Sequence, residues 1–506
     1  MNILKSALIA ACAMVATAAA AEDRFFYASC NFSSGESTDQ TINIIKRAAK
    51  VGYNGILLAG GLDTLPWWND RRKDNLRRIE SACDETGIEI IPLVWSCGYG
   101  TMQGRDPNLA EGIPIVDQAA VVRRGKLVFD EGEVSSRDMT FKAWDGNVTG
   151  SADDGWTFKD YLAPHGHSRL QCHVELKPAR RYKATLEVRS ADLEPRASFR
   201  FQGYADLARG EHHLFNSSPL KRAGKSGEWT RVETEFFSQD RRSIDLIFGC
   251  WGGKSGKVEA RNLVVKEMAL DRPLRRPGCP YAIRRAEDGV TLDEAKLAAV
   301  ADGTRVLVSG YVPAMVGNRQ IPTCMSEPKL YELFRTGAAA IEAELHPKKW
   351  LLSMDEIRAG GTCKACRDRE TDMAHILADC VKREREIIRS CNPDATIYMW
   401  SDMFNPNVNA HDDYFICRGT YDKSWELIPN DIVMADWNGR EYAKTFPIWE
   451  KFGFRVLGAS YYDVSFAARS IPDIAELRRH DNVTGFMYTT WENRYGLLED
   501  FAKLCQ

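Results

Sequence analysis

The chain has 506 residues, which is too long for a single small hydrophobic core. Its length therefore predicts two or three domains. Apolar residues make up 44% and charged residues 27% of the chain, which is the composition of a globular protein. The formal net charge of −3 argues against nucleic acid as a partner, because binding a phosphate backbone needs a basic surface.

Residues 1–21 are predicted to form a signal peptide. Lys5 supplies the positive charge, and the alanine-rich apolar run after it ends in small residues that suit cleavage near Ala20 or Ala21. This run is too short for a membrane span, and no other segment could cross a bilayer. We therefore expect an exported protein, periplasmic or extracellular. Lipoprotein processing at Cys12 is the less favoured alternative, because the apolar run before that cysteine is short.

Residues 22–112 are predicted to form the first part of a parallel α/β barrel. Short apolar strands are expected in "RFFYASC", "YNGILLAG" and "IEIIPLVW", with an amphipathic helix between each pair. The second of these helices is expected to end at Gly87. Nearly continuous apolar strands are typical of a parallel sheet that is covered on both faces.

Residues 113–270 are predicted to form an inserted antiparallel β-sandwich. Helical periodicity stops near Pro114, and short alternating strands such as "RYKATLEVRS" and "SIDLIFGCW" replace it. These strands resemble a carbohydrate-binding module of the jelly-roll kind. A sugar platform on it could include Trp144, Trp156, Trp229 and Trp251, or these residues could simply fill the sandwich core.

Residues 271–506 are predicted to hold the rest of the barrel. Five more apolar strands are expected in "KWLLSM", "TIYMW", "DIVMADW", "FRVLGASYY" and "TGFMYTTW", whereas "GTRVLVSGY" is a strand without an assigned sheet. Together with the first three strands they make eight. The predicted fold class is therefore α/β, a (β/α)8 TIM-like barrel interrupted after strand three by a jelly-roll β-sandwich.

Acidic and aromatic residues follow the last five predicted barrel strands, and in such barrels the chemistry lies at these carboxyl ends. The candidates are Asp355 and Glu356, Trp400 and Asp402, Asp436 and Trp437, Tyr461 and Asp463, and Trp491, Glu492 and Asn493. Paired carboxyl groups among aromatic residues suit the cleavage of a glycosidic bond. One carboxyl protonates the leaving oxygen, and apolar walls keep that acid protonated.

Other chemistries have less support in the sequence. Five of the nine histidines lie in the predicted insert, so a histidine-based metal site at the strand ends is not expected. Neither a phosphate-binding glycine loop followed by lysine nor a G-x-S-x-G motif is present. Cys363 and Cys366 form a C-x-x-C, but no second pair follows, which favours a local disulfide or loop clip over zinc. We therefore predict no metal and no cofactor.

The order of the strand-end motifs resembles glycoside hydrolase family 20, the β-N-acetylhexosaminidases, over about residues 325–500. The matching positions are Asp355-Glu356, Trp400, Trp437, Tyr461-x-Asp463 and Trp491. The resemblance implies substrate-assisted catalysis, in which the acetamido oxygen of the sugar attacks its own anomeric carbon. The expected partner is an oligosaccharide or glycan substrate.

The resemblance also implies roles for these residues. Glu356 would be the general acid and base, Asp355 would orient the acetamido nitrogen, and Tyr461 would hydrogen-bond the acetamido oxygen. Trp400, Trp437 and Trp491 would enclose the cleaved sugar. Asp463 would bind a hydroxyl or the acetamido rim.

The sequence departs from the family pattern at positions that contact the outer hydroxyls of the sugar. Asn493 stands where the family has Glu after strand eight, and the usual Arg after strand one and His after strand three are missing. Two alternatives therefore stay open. One is a retaining glycosidase of another sugar, with Glu492 or Asp436 as nucleophile, and the other is a non-catalytic carbohydrate-binding protein.

Overall fold

A computed structural model of the protein describes residues 22–129, 132–159, 161, 165–205, 213–221, 227–268, 272–317, 320–437, 442–461, 474–475 and 477–506. The predicted signal peptide and Asp463 lie outside these residues. Within them, no helix combines the length and the apolar character that crossing a bilayer requires.

The first part of the chain alternates strand and helix as predicted. Its elements are β1 (Asp23–Ser29), α1 (Gly35–Lys50), β2 (Gly55–Ala59), α2 (Asp70–Thr86) and β3 (Glu89–Val94). The side chains of Ser34 and Asn69 cap α1 and α2 by accepting backbone hydrogen bonds, and Gly87 ends α2 with a φ of 71°. Every residue of β2 is buried, as expected for a parallel strand covered on both faces.

The middle of the chain is built from strands. They are β4 (Gly112–Arg123), β5 (Lys126–Phe129), β6 (Glu133–Ser135), β7 (Phe141–Asp145), β8 (Asn147–Ser151), β9 (Gly155–Lys159), β10 (Ser168–Glu175), β11 (Arg181–Glu194), β12 (Phe199–Tyr204), β13 (His213–Ser217), β14 (Thr230–Phe237), β15 (Ser243–Cys250), β16 (Ser255–Glu267), β17 (Ala282–Arg285), β18 (Thr291–Leu292) and β19 (Arg305–Pro313).

Three sheets divide these strands. Two antiparallel sheets, in the orders β13-β12-β15-β10-β7 and β14-β11-β16-β9-β8, enclose a common core around Trp156 and Phe248, and β6 pairs with β16. The third sheet has the order β18-β17-β19-β4-β5. The strand that the sequence left unassigned is β19, which pairs antiparallel with β4. The third sheet thus pairs β4, which precedes the sandwich in the sequence, with β19, which follows it.

The last part of the chain returns to alternating elements. They are α3 (Pro328–Leu345), β20 (Lys349–Leu352), β21 (Ala359–Gly360), α4 (Lys364–Arg367), α5 (Met373–Cys391), β22 (Thr396–Trp400), β23 (Ile416–Cys417), β24 (Val433–Asp436), α6 (Tyr442–Lys451), β25 (Val456–Tyr461), β26 (Val483–Thr489) and α7 (Leu498–Leu504). Helix α5 buries a continuous stripe that includes Ile376, Cys380 and Ile387.

Eight strands close into a barrel in the order β1-β2-β3-β20-β22-β24-β25-β26, and β26 pairs with β1. Each neighbouring pair is parallel. All eight carboxyl ends therefore meet at one rim of the barrel.

The predicted fold class, a (β/α)8 barrel interrupted after strand three by one β-sandwich, is wrong. Residues 401–432, between β22 and β24, hold two single 3₁₀ turns and β23 but no α-helix, so helices do not flank the barrel one for one. The cause is local, because Asn405, Pro406, Asn407 and Asn409 favour turns and supply no helical periodicity. The region after β3 also contains a third sheet, and the described strands far outnumber the helices.

Gly485 in β26 allows the barrel to close against β1, because a Cβ atom there would lie 1.9 Å from the carbonyl oxygen of Asp23. We expect Gly485→Ala to lower the free energy of unfolding by about 1–3 kcal/mol, as overpacking does. Gly496→Ala is the control, since its Cβ would meet nothing within 4 Å. Equal thermal unfolding midpoints for the two variants would contradict this account of the closure.

Candidate active site at the barrel rim

A cavity of about 490 Å³ opens at the rim where the carboxyl ends of the barrel strands meet. This volume lies within the range of small-molecule sites. Two carboxyl groups, two serines, one leucine and five aromatic residues line it, namely Asp355, Glu356, Ser96, Ser353, Leu93, Tyr27, Tyr99, Trp400, Trp437 and Trp491.

The turn after β20 brings both acids to this cavity. Trp350, Leu351 and Leu352 are buried in the barrel wall, and Glu356 then adopts a φ of 48°, in the left-handed region. Gly98 lies against this turn, since a Cβ there would sit 2.2 Å from the carbonyl oxygen of Asp355. The loops after β3 and β20 thus fit together only with glycine at position 98.

Asp355 is partly shielded from solvent in the cavity wall. Its carboxylate accepts a hydrogen bond of 2.8 Å from the Ser353 hydroxyl, which in turn lies 2.8 Å from the Ser96 hydroxyl. Burial raises the pKa of Asp355 to about 6, although the Ser353 hydrogen bond opposes the rise. The Glu356 charge adds to the increase. Asp355 therefore changes charge in the weakly acidic range.

Glu356 is held by contacts on both oxygens of its carboxylate. Nη2 of Arg358 lies 2.7 Å from one oxygen, and the hydroxyl of Tyr99 donates to the other. The backbone N–H of Glu356 donates to Asp402 Oδ2 at 2.9 Å. These contacts fix the direction of the Glu356 carboxyl at the edge of the cavity.

Asp402 lies behind the pair and is 1% exposed. Besides the Glu356 N–H, it accepts hydrogen bonds from Asn409 Nδ2 at 2.7 Å and from the Trp437 indole at 3.4 Å. Burial, followed by the charge of Asp355, raises the pKa of Asp402 to about 8. Asp402 therefore supports the turn and orients Trp437, rather than lining the cavity as the sequence predicted.

Aromatic rings form the remaining walls. Trp400 is buried and meets the half-exposed Trp491 edge to face, with ring centroids 5.8 Å apart, and Tyr27 approaches Trp491 from the other side at 5.0 Å. Such flat apolar faces match the C–H faces of a sugar ring. Burial and the Asp355 charge raise the pKa of Tyr27 to about 12, so its hydroxyl stays protonated at physiological pH.

A second cavity, of about 540 Å³, adjoins the first and shares Tyr27, Leu93, Ser96 and Tyr99 with it. Trp67 and Trp68 line its far side, where the guanidinium groups of Arg105 and Arg72 lie over their rings. The two cavities are thus neighbours that share one wall.

Three predicted site residues lie elsewhere. The Asp436 carboxylate is buried and accepts a hydrogen bond of 3.1 Å from the Trp449 indole. Glu492 pairs with Arg494 in solvent. Asn493 accepts from the Tyr495 hydroxyl at 3.3 Å and lines a different cavity.

The cavity contains residues that the sequence analysis missed. Tyr27 lies inside β1, two residues before its end, and Tyr99 lies in the 3₁₀ turn that follows β3. The residues after β3 could have indicated Tyr99, whereas Tyr27 had no signal apart from its strand. Arg358 lies two residues after Glu356 and carried no separate signal. Of the remaining predicted residues, Tyr461 ends β25 and its side chain lies outside the described part of the structure, as does Asp463.

The four tryptophans named in the sandwich occupy different surroundings. Trp156 is buried in the sandwich core. Trp144 and Trp251 lie on either side of the Arg169 guanidinium, at 4.2 and 5.1 Å, and Trp229 lies next to Arg189 and Arg261. Core packing therefore accounts for Trp156.

Comparison with known proteins gives structural neighbours only, because no protein-family model and no curated protein matches the chain. The pneumococcal exo-β-D-N-acetylglucosaminidase StrH is 7% identical, with a TM-score of 0.38 over 96% of this chain and 83% of that chain. A β-N-acetylhexosaminidase from Bacteroides fragilis NCTC 9343 is 12% identical, with a TM-score of 0.27 over 38% of this chain and 43% of that chain.

A CBM4 structure is 10% identical, with a TM-score of 0.20 over 30% of this chain and 96% of that chain. The structural neighbours thus include glycoside hydrolases and a carbohydrate-binding module. All of these similarities are low in both identity and TM-score.

The buried carboxyl of Asp402 predicts a pH dependence of stability. Its pKa is raised in the folded protein, so the stability it contributes is present at low pH and is lost as the pH rises from about 4 to about 8. Asp402→Asn keeps an uncharged group there, and we expect a flatter stability profile in urea unfolding. Asp431→Asn is the control. The Arg385 ion pair lowers the pKa of Asp431, so this carboxylate stays ionised above about pH 4 and its loss should not change the slope between about pH 4 and 8. An unchanged slope in Asp402→Asn would contradict the assignment.

Proposed function

We propose that this chain is an exported glycoside hydrolase that cleaves a β-linked N-acetylhexosaminide by substrate-assisted, retaining catalysis. The observation that carries the proposal is the Asp355–Glu356 pair in the wall of an aromatic cavity. The adjoining cavity supports a glycan of more than one sugar as the substrate.

Glu356 is the proposed general acid. It donates a proton to the glycosidic oxygen as the bond to the anomeric carbon breaks, and Arg358 and Tyr99 stabilise the carboxylate that remains. The same carboxylate then takes a proton from the attacking water. The ion pair with Arg358 stabilises Glu356 after it has donated its proton, while its carboxyl group is ionised.

Asp355 is the proposed partner of the substrate acetamido group. Its carboxylate accepts the acetamido N–H and so aims the acetamido oxygen at the anomeric carbon, where a cyclic oxazolinium forms. The negative charge of Asp355 offsets the positive charge of that ring. Ser353 keeps the carboxylate in place.

The alternative retaining route requires a second enzyme carboxylate about 5–5.5 Å from the acid. Asp436 bonds Trp449 and Glu492 pairs with Arg494, and neither lines the cavity. Among the described lining residues the carboxyl groups are Asp355 and Glu356 alone, which supports a nucleophile supplied by the substrate.

Substitution of the two glutamates separates these routes. We expect Glu356→Gln to lower kcat/KM about 10²–10⁴-fold for β-N-acetylhexosaminides with poor leaving groups, because general acid catalysis is lost. Aryl substrates with acidic leaving groups should suffer less. Glu492→Gln is the matched control and should stay near the parent activity.

The substrate panel includes each aryl sugar with and without a 2-acetamido group. Cleavage of sugars that lack the acetamido group at similar rates would exclude substrate assistance. Retained binding with no turnover by the parent protein on any sugar would favour the non-catalytic alternative. Loss of activity in Glu492→Gln would favour the two-carboxylate route.

The pH dependence of kcat/KM tests the role of Asp355. Because this residue acts as a carboxylate, activity should fall about tenfold per pH unit below its pKa of about 6. Ser353→Ala removes a hydrogen bond that lowers this pKa, so the acidic limb should move to higher pH. Ser390→Ala, in the last turn of α5, is the control. A limb that stays in place in Ser353→Ala would contradict the role.

A further inference from the structure

Four buried side chains from distant parts of the sequence meet beneath the loops of the rim. They are Glu111, Cys324, Cys363 and Cys366. Glu111 directly precedes β4, Cys324 lies shortly before α3, and the other two cysteines precede and enter α4. One ligand atom from each lies within 4.8 Å of the others. Nothing in the proposed hydrolytic mechanism uses these groups.

Three of the six distances between these four atoms are close to the edges of a zinc-centred tetrahedron, and all six lie within 4.8 Å. Zn–S bonds of about 2.3 Å give an S···S edge of about 3.8 Å, and a Zn–O bond of about 2.1 Å gives an S···O edge of about 3.6 Å. Cys324 Sγ lies 3.5 Å from Cys363 Sγ and 3.6 Å from Cys366 Sγ. Cys366 Sγ lies 3.5 Å from Glu111 Oε2.

A disulfide explains this cluster less well. It would bring two sulfur atoms to about 2.05 Å and would leave the third thiol beside a buried carboxylate. All three cysteines are free in the structure.

Hydrogen bonds orient the Glu111 carboxylate in the way that is typical of a metal-binding side chain. Its Oε1 accepts hydrogen bonds from the backbone N–H groups of Thr362 at 3.0 Å and Cys363 at 2.8 Å, and from the Thr362 hydroxyl at 2.9 Å. Its Oε2 faces the cysteine cluster. Outer hydrogen bonds of this kind fix the direction of metal-binding side chains.

A buried arginine offsets part of the negative charge of the cluster. Three thiolates and a carboxylate around a divalent cation leave a net charge of −2, which is costly to bury without a counter-charge. Arg276 is buried and interacts electrostatically with Cys324, Cys363 and Glu111. Its Nη1 donates to the carbonyl oxygens of Asn108 and Ala110 at 2.7 Å each, which anchors the guanidinium.

We propose that Cys324, Cys363, Cys366 and Glu111 bind one zinc ion. Four protein ligands leave no open position, so the ion is structural and not catalytic. It joins three segments, before β4, before α3 and at α4, and the last follows the turn that carries Glu356 and Arg358. The ion would thus hold the loop of the proposed general acid against the body of the protein.

Metal analysis of the full-length chain tests the site directly. We expect about one zinc per chain in protein purified without chelators, and less than about one tenth in Cys363→Ser. Glu111→Gln should lower the occupancy in competition with a zinc-binding dye. Cys391→Ser, at the end of α5 and outside the cluster, is the matched control and should keep its zinc. A parent protein that binds no zinc after incubation with it would overturn the proposal.

Cys279 is a further buried cysteine, and its backbone N–H bonds the Arg276 carbonyl oxygen. Zinc retained in Cys279→Ser supports Glu111 as the fourth ligand. Loss of zinc in Cys279→Ser together with its retention in Glu111→Gln would overturn Glu111 as a ligand.

A second measurement needs no variant and stays decisive if the substitutions prevent folding. The parent protein is denatured with chelator and without reductant, alkylated and analysed by mass spectrometry. Alkylation of all three cysteines supports the zinc site, and a disulfide between any two overturns it. Metal content and thiol state are measured without a glycoside, so failure of the zinc proposal and failure of the proposed hydrolase activity are distinguishable.

Discussion

Three carboxyl groups share a small volume at the rim of the barrel, and the arrangement around them follows from the electrostatic cost of that proximity. Like charges at short range in a poorly hydrated site cannot all ionise freely. The protein separates them by environment, with Arg358 on Glu356, a hydroxyl on Asp355, and burial with amide and indole donors on Asp402. The three acids can then coexist because Asp402 holds its proton, Asp355 titrates at about pH 6, and Glu356 is paired with Arg358.

Much of the barrel was predictable, because the signal was local. Each of its eight strands is a short apolar run, and each overlaps a segment where the sequence predicts a strand, with starts that differ by one residue at β1 and β26. The pairing of β4 with β19 was not predictable, since these strands are separated by the whole sandwich and each alone fits any sheet. The missing helix between β22 and β24 also had only an indirect signal, the absence of periodicity.

The candidate site was predictable as a set of strand ends, but not residue by residue. Neighbouring residues along an extended chain point to opposite sides. At the end of β24, Trp437 therefore lines the cavity, whereas Asp436, one position before it, bonds Trp449 instead. After β26 the chain bends, so that Trp491 lines the cavity and Glu492 pairs with Arg494. The zinc candidate was hidden for a different reason, because two of its four side chains come from distant segments and one is a glutamate.

The antiparallel pairing of β4 with β19 places the entrance and the exit of the sandwich side by side, at the usual strand separation of about 4.8 Å. In topological terms, everything between Arg123 and Arg305 is the loop of one long hairpin. A loop whose ends are already pinned together can grow, shrink or be exchanged with little change in closure entropy. The geometry of the barrel rim and its acids is therefore largely independent of the length of the segment between these strands.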